Sequence, residues 1–357
     1  MRFALSEDQT LLQDSLTKAL ADLSSLDRVR RFADGGEATA PDIWAGLSEL
    51  GLPGLLVPEE HGGLGLGLLE AALAAEALGR VVAPTPFLGS AVLAPLALRL
   101  GGSDEQKRAW LPKLADGGAT AGAAISEPIA GARDGAGVTA EGGKLTGKAL
   151  FALDAMAADL LVVADRSGVL HLAAKADASE ILPSIDATRR LTELTFRGAP
   201  AEALSSNQAL DRLRDAAWVM IAADTLGACQ TMLDRAVEYA KERKQFGRTI
   251  GSFQAVKHLC AEMAAELEPA RALVWYAAYA FDNAPEEASL MAAHAKAHTS
   301  EIGRFIARTA TEVHGGIGMT DLLGLHYWFK RIGQNRQLLG GPERVRELAA
   351  RMQGLAA

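Results

Sequence analysis

The side chains in this sequence that could carry out chemistry are few, and their spacing argues against several reactions. His294 and His298 fall on one face of a predicted helix, but the glutamate that a zinc-protease helix carries between its histidines is absent and no third ligand is evident. Ser126 has no His-Asp pattern near it, so hydrolase chemistry finds no support. Residues 62–67 are glycine-rich, but no strand precedes them and no Lys-Ser or Lys-Thr follows, unlike a phosphate-binding loop.

The chain divides into three zones, helical, strand-rich and helical, and these must position any functional site. Residues 6–9 read Ser-Glu-Asp-Gln, a helix capping box, and helical spacing then continues to about residue 114 with Gly and Pro interruptions. From about 120 to 197, short apolar runs of strand length alternate with turn residues, including a Gly-Gly hairpin turn at 142–143. Longer helical segments follow. The sequence therefore predicts an α+β, mostly α chain: a helical domain (1–119), a small antiparallel β domain (120–208) and a helical bundle (209–357).

Composition and charge limit the partners. Hydrophobic residues make up 49% and charged residues 22% of the chain, which is typical of soluble globular proteins. The net charge is −8 with no basic tract, which argues against binding to nucleic acid or to an anionic membrane. No apolar run reaches transmembrane length, nothing at the amino terminus is typical of a signal peptide, and the two cysteines are expected to be reduced. We therefore expect a cytoplasmic protein.

Ordered motifs across nearly the whole chain resemble the acyl-CoA dehydrogenase family. Residues 125–128 read Ile-Ser-Glu-Pro, similar to the family's turn over the flavin. Residues 243–247 read Arg-Lys-Gln-Phe-Gly and precede Phe-Gln at 253–254, which resembles its most distinctive helical signature. His-Gly-Gly-Ile-Gly at 314–318 matches a second signature. The resemblance implies an N-terminal helical domain, a small antiparallel β domain and a C-terminal four-helix bundle. It also implies α,β-dehydrogenation of an acyl-CoA, with FAD as cofactor and electron transfer flavoprotein as oxidant.

The same resemblance implies that two subunits share each FAD. Arg243 supplies a guanidinium and Gly315-Gly316 allow close backbone approach, as a pyrophosphate requires. With Phe246 and Gln254, these residues are implied to bind the FAD of a neighbouring subunit, so the minimum unit is a dimer or a dimer of dimers. Outside this context Arg243 and Gln254 would be ordinary helix-surface residues.

Other positions near the implied flavin and substrate depart from the family. Ser126 and Phe151 are implied to bind the flavin of their own subunit, but the family's Trp-Ile-Thr-Asn strand reads Phe-Ala-Leu-Asp at 151–154, so a hydroxyl is lost at Leu153. Asp215 matches a carboxylate that hydrogen-bonds the pantetheine arm, although an Asp at a helix start needs no such role. Trp218 stands where many members keep an arginine.

The proton-abstracting glutamate of the family is missing. Its commoner position falls on Leu339 and its alternative position on Ala217, and neither side chain can take a proton. Asp224, two turns beyond Ala217 on the same helix face, is one possible substitute, but a buried or interface ion pair is the favoured interpretation. Glu343 is a second, but its position after Pro342 is typical of a helix-start acid. We expect His314 to be structural and predict no catalytic residue.

Three functions remain open. The first is a base-less subunit of a heteromeric acyl-CoA dehydrogenase, because residues 186–190 and 314–320 also resemble short bacterial members that pair with a catalytic partner, often for steroid side-chain CoA esters. Such an assembly would be a dimer or an α2β2 tetramer. The second is a homomeric enzyme with an atypical base, and the third is a non-catalytic acyl-CoA-binding scaffold. We favour the first hypothesis.

Overall fold

The computed structural model describes residues 4–206 and 208–356. The N-terminal zone is helical, and α1 begins with the predicted capping box: Ser6 and Gln9 each bind the other's backbone N–H. A π-helical turn, Leu88–Leu93, runs directly into the fifth helix. The helices are α1 (Glu7–Leu23), α2 (Leu26–Gly35), α3 (Pro41–Ser48), α4 (Leu68–Arg80), α5 (Ala94–Gly101) and α6 (Asp104–Ala115).

The middle zone is one mixed sheet with strand order β6-β7-β3-β1-β4-β5-β8, and β2 pairs with β3. Gly142 and Gly143 form the predicted hairpin turn between β2 and β3, both with positive φ. The pairing is antiparallel as predicted except between β1 and β4, which run parallel. The short apolar runs at residues 123–125, 137–139, 145–151, 160–164 and 191–196 predict β1–β4 and β7, whereas no such run predicts β5, β6 or β8. The elements are β1 (Ala121–Ala124), α7 (Ser126–Ala130), β2 (Gly137–Glu141), β3 (Lys144–Leu153), β4 (Leu160–Ala164), β5 (Leu170–Ala173), β6 (Ala178–Leu182), β7 (Leu191–Pro200) and β8 (Glu202–Ala203).

The C-terminal zone is a helical bundle in which α10 contacts all the other main helices. Its elements are α8 (Ala209–Glu242), β9 (Lys244–Gln245), β10 (Arg248–Thr249), α9 (Gln254–Asn283), α10 (Pro285–His314), α11 (Leu325–Gln337) and α12 (Pro342–Met352). Helix α8 is long and apolar enough to span a membrane by length and composition, but 89% of its apolar window is buried inside the protein. The predicted fold class is confirmed.

Two glycines bring the N-terminal helices onto the bundle. A Cβ at Gly227 of α8 would lie 1.9 Å from the Glu76 carbonyl oxygen of α4, and a Cβ at Gly79 would lie 2.1 Å from the Asp224 carbonyl oxygen. Any side chain at either position would therefore force α4 and α8 apart. This close crossing places α8 at the centre of the molecule, between the N-terminal helices and the rest of the bundle.

Candidate functional site

A cavity of about 280 Å³ lies between the sheet and the C-terminal end of α11, and we call it the sheet–helix cavity. It brings together three positions that the sequence had singled out: Ser126, Phe151 and Leu339. Ser126 is buried, and its hydroxyl donates to the Phe151 carbonyl at 3.2 Å. The neighbouring Glu127 accepts from the Leu150 N–H at 2.6 Å, and burial raises the pKa of its carboxyl. The remaining lining residues are Ala130, Gly131, Arg133, Leu150, Pro183, Ser184, Ile185, Leu191, Gly333, Gln334, Gln337 and Leu338.

Leu339, one predicted base position, lines this cavity, and Ala217, the other, lies on α8 next to Trp218. Leu339 follows α11, has a φ of 55°, which non-glycine residues rarely adopt, and is 2% exposed. Ala217 on α8 is fully buried. The adjacent Trp218 indole N–H donates to the Leu339 carbonyl at 2.9 Å, so α8 and the turn after α11 are joined directly. Leu339, Ala217 and Trp218 are therefore all buried apolar side chains of the main hydrophobic core.

A second cavity, of about 510 Å³, opens on the surface where α8 and α10 end, and we call it the Arg243 cavity. Arg243 terminates α8, and among residues 4–206 and 208–356 its guanidinium makes no hydrogen bond or ion pair. Gly315 has a φ of 63°, and a Cβ at Gly315 or Gly316 would meet nothing within 4 Å. The glycines are therefore open to a ligand. The full lining is Tyr239, Arg243, Gln245, Ile250, Val313, His314, Gly315, Gly316 and Ile317.

The hairpin that follows Arg243 exposes an aromatic ring. Phe246 and Gly247 have φ values of 50° and 78°, so they form the tight turn between β9 and β10. The Phe246 ring is 92% exposed and contacts Phe253 edge-on at 6.2 Å. Gln254, the next residue, is exposed at the start of α9. Phe246 and Gln254 thus flank the Arg243 cavity without lining it.

Known proteins are similar to this chain over nearly its full length. The acyl-CoA dehydrogenase N-terminal domain family matches residues 6–118, and the acyl-CoA dehydrogenase C-terminal domain family matches residues 208–353. The acyl-CoA dehydrogenase IpdE2 of Mycolicibacterium smegmatis is 33% identical over 348 residues, covering 97% of this chain and 99% of that protein. The chain belongs to the acyl-CoA dehydrogenase family. The family consists of FAD-dependent oxidoreductases, which confirms the predicted cofactor and reaction class.

Two solved structures have the same fold from end to end. The ChsE4-ChsE5 complex from Mycobacterium tuberculosis gives a TM-score of 0.92 at 26% identity, covering 100% of both chains. The Tcur3481-Tcur3483 steroid ACAD variant gives a TM-score of 0.88 at 29% identity, covering 98% of both chains. The described residues therefore have the fold of these two structures over nearly their full length.

The residues predicted to bind FAD fall into two groups that the fold keeps apart. Ser126 and Phe151 line the sheet–helix cavity, whereas Arg243 and Gly315-Gly316 line the Arg243 cavity, and the two linings have no residue in common. Each group fits part of a flavin dinucleotide: a largely apolar cavity suits an aromatic ring, and an exposed guanidinium beside open backbone suits a pyrophosphate.

Asp224, the first substitute base considered, is held inside a buried polar network of the acyl-CoA dehydrogenase. Its carboxylate accepts from the Arg331 guanidinium at 3.0 Å and from the Asn335 amide at 2.6 Å, and Arg189 lies 3.4 Å away. Arg331 is 2% exposed and also pairs with Asp186 at 2.8 Å. Asp224 does not line the sheet–helix cavity; it borders a separate space of only about 60 Å³.

The other singled-out side chains are engaged elsewhere. Glu343 is exposed in the first turn of α12, where Arg336 donates to it at 2.9 Å; its own backbone N–H and this arginine lower the pKa of the carboxyl. Asp215 is fully buried, bound by Arg214 at 2.8 Å and by Ser289 at 2.5 Å. Burial raises the pKa of the Asp215 carboxyl. His314 stacks on a tyrosine, with ring centroids 4.7 Å apart, and its Nδ1 lies 2.7 Å from the Ala310 carbonyl oxygen.

Sequence reasoning missed the partners that hold these groups. Residues 186–190 resemble a family segment in the sequence, but nothing there indicates that Asp186 and Asp224 share Arg331 as their partner. The available signal was a charged residue on the buried face of a helix, which is rare unless the charge is paired. Within the residues that the structure describes, no three His, Cys, Asp or Glu side chains cluster as metal ligands, and His294 and His298 are not joined by a third.

Proposed function

We propose that this chain is a base-less subunit of a heteromeric acyl-CoA dehydrogenase that acts in the α,β-dehydrogenation of an acyl-CoA thioester. It shares its flavin sites with a homologous partner subunit, and the partner supplies the carboxylate that removes the α-proton. One contrast carries the proposal. Both family base positions, Leu339 and Ala217, are apolar and buried, whereas the Arg243 surface remains intact and exposed.

Proton removal next to a thioester requires a carboxylate in a dry pocket near the flavin. The wall of the sheet–helix cavity offers Leu339 at that position, and Trp218 fixes its backbone. Asp224 is a poor substitute because Arg331 and Asn335 occupy both of its oxygens, and a neighbouring cation makes a carboxylate a weaker base. The chain therefore offers this step no proton acceptor at either family position.

The exposed Arg243 surface supports a shared flavin. When bound, FAD accepts the hydride that leaves the β-carbon of the acyl group. Arg243 and the backbone of Gly315-Gly316 would hold its pyrophosphate, while Ser126 and Phe151 would contact a flavin ring in the sheet–helix cavity. Because these groups line different cavities, one flavin that uses both kinds of contact would draw them from two subunits. Phe246, an almost fully exposed aromatic ring, is then covered by the partner.

The relatives support the same assembly. One solved neighbour is named as a ChsE4-ChsE5 complex and another as a Tcur3481-Tcur3483 steroid ACAD, and each name joins two components. We infer a dimer or α2β2 tetramer of this chain with a longer, glutamate-bearing homologue. A bulky steroid-type or fatty acyl-CoA is the substrate, and electron transfer flavoprotein is the oxidant. By family position Asp215 would hydrogen-bond the pantetheine arm, whereas in this chain Arg214 and Ser289 bind its carboxylate.

The alternatives are supported less well. A homomeric enzyme that used Asp224 or Glu343 as its base is less well supported. Asp224 is paired with Arg331, and Glu343 is exposed and lies outside the sheet–helix cavity. A flavin-free scaffold would have no use for an exposed Arg243 beside two open glycines.

The deciding measurement is the visible absorption spectrum of the chain, purified alone and then together with a homologue that retains the glutamate. We expect a colourless lone chain and flavin bands only in the co-purified assembly. In that assembly Arg243→Ala should lower the FAD content, because a charge-assisted bond is worth about 1.5–3 kcal/mol. Lys241→Ala is the matched control, since Lys241 is exposed on the same helix end and pairs with the equally exposed Glu238. Flavin and turnover in the lone chain would refute the proposal.

A further inference from the structure

Lys296 is a fully buried lysine that has no carboxylate partner. It lies in the middle of α10 with 0% exposure, and no salt bridge to it is present among residues 4–206 and 208–356. Lysine is almost never fully buried unless its charge is paired, because removing an ammonium from water is costly. Its Nζ instead donates to the carbonyl oxygens of Asn335 at 2.7 Å and Arg336 at 3.1 Å. Ser300 lies 3.4 Å away on the next turn of the same helix.

These two carbonyls belong to the last turn of α11. A helix end leaves its final four carbonyls without intrahelical partners, and a buried end must find others. The Leu338 N–H binds the carbonyl of Gln334 at 3.0 Å, and the Gly340 N–H binds that of Gln337 at 3.2 Å. Lys296 binds the two between them. One side chain from α10 therefore satisfies half of the carbonyls at the end of α11, and a cation there also suits the negative end of the helix dipole.

The turn beyond that helix end forms a wall of the sheet–helix cavity. Leu338 and Leu339 both line the cavity, and the Trp218 indole N–H holds the Leu339 carbonyl from α8. Leu339 has a strained positive φ, which persists only where surrounding contacts impose it. Trp218 holds the turn at one point, and Lys296 fixes the helix end from which it departs.

We propose that Lys296 is a positioning residue that fixes the end of α11 and, through it, the Leu338–Leu339 wall of the sheet–helix cavity. It touches neither the cavity nor any ligand in it, since it does not line that space. Its consequence for flavin binding rests on the proposed function, but its effect on the wall does not.

Hydrogen exchange of the purified full chain tests this proposal without flavin. In Lys296→Met, which keeps an apolar stem and removes the donors, amide exchange in residues 333–341 should accelerate by roughly tenfold or more. Exchange at the start of α10 and in α9 should be unchanged. Lys257→Met is the control, because Lys257 is an exposed lysine on α9. Wild-type protection of residues 333–341 in Lys296→Met would overturn the proposal, as would an equal loss of protection across the bundle.

A second variant keeps the test decisive if Lys296→Met does not fold. Lys296→Gln retains an N–H donor on a side chain one bond shorter, so it should fold with weaker protection confined to residues 333–341. Wild-type protection in Lys296→Gln would then overturn the proposal. Because the chain is measured without flavin or partner, neither outcome depends on whether the flavin is shared between subunits.

Discussion

Replacing Asp224 by asparagine tests whether this buried acid serves the fold or the reaction. Asp224 is 6% exposed, and its two oxygens have separate donors, Arg331 at 3.0 Å and Asn335 at 2.6 Å. In Asp224→Asn one of these oxygens becomes an NH2 group. If the remaining oxygen faces Arg331, the new NH2 meets the NH2 of Asn335, so two donors oppose each other in a dry interior.

The expected loss follows from these contacts. A hydrogen bond to a charged group is worth about 1.5–3 kcal/mol, and a buried unsatisfied donor costs about 1–3 kcal/mol. Removing one partner of a buried ion pair costs about 3–5 kcal/mol, in agreement with that sum. Asp224→Asn should therefore lower the free energy of unfolding by about 3–5 kcal/mol. The denaturant midpoint at unchanged m-value measures the effect.

Asp234→Asn is the matched control on the same helix. Its carboxylate is 49% exposed and pairs with Arg80 at the surface, so its loss should cost less than about 1 kcal/mol. An Asp224→Asn variant as stable as this control would refute the structural role. Turnover supplies the second readout: removing a general base costs about 10²–10⁴-fold. We expect Asp224→Asn to lower the turnover of the folded, flavin-loaded assembly by much less than 10²-fold. A loss of 10²-fold or more would identify Asp224 as the base.

Three further predictions concern the same region. Glu343→Gln should leave turnover unchanged, because Glu343 is exposed and outside the sheet–helix cavity, and abolished activity in a folded, flavin-loaded assembly would contradict the missing base. Trp218→Phe should lower the free energy of unfolding by about 1–3 kcal/mol in urea, because the buried Leu339 carbonyl loses its donor; an unchanged midpoint would contradict this. Burial, reinforced by Arg336, lowers the pKa of Lys296 from 10.5 to about 7, so between those values the unfolded chain binds more protons and stability rises with pH. The free energy of unfolding of the wild type, relative to that of Lys296→Met, should therefore rise from pH 7 to 10.5. A difference that does not change with pH would contradict this prediction.

Local signals in the sequence predicted the fold class and several individual features. The capping box at Ser6 and Gln9 needs only residues three apart, and Gly142-Gly143 needs only a turn whose φ values are positive. Both are short-range effects, so they can be recognised without a fold. The parallel pairing of β1 with β4 could not be predicted in this way, because strand partners are chosen by long-range packing that a single segment does not encode.

The sequence by itself also determined the family, because its motifs lie at fixed positions along the chain and need no coordinates. Only the tertiary structure decided what Asp224 contacts, because Arg331 lies 107 positions further along the chain. It likewise decided that Trp218 bonds Leu339 and that Lys296 caps α11, through contacts 121 and 39 positions apart. A buried polar group must find a partner, but which one it finds depends on how the helices pack, and that is a property of the whole fold.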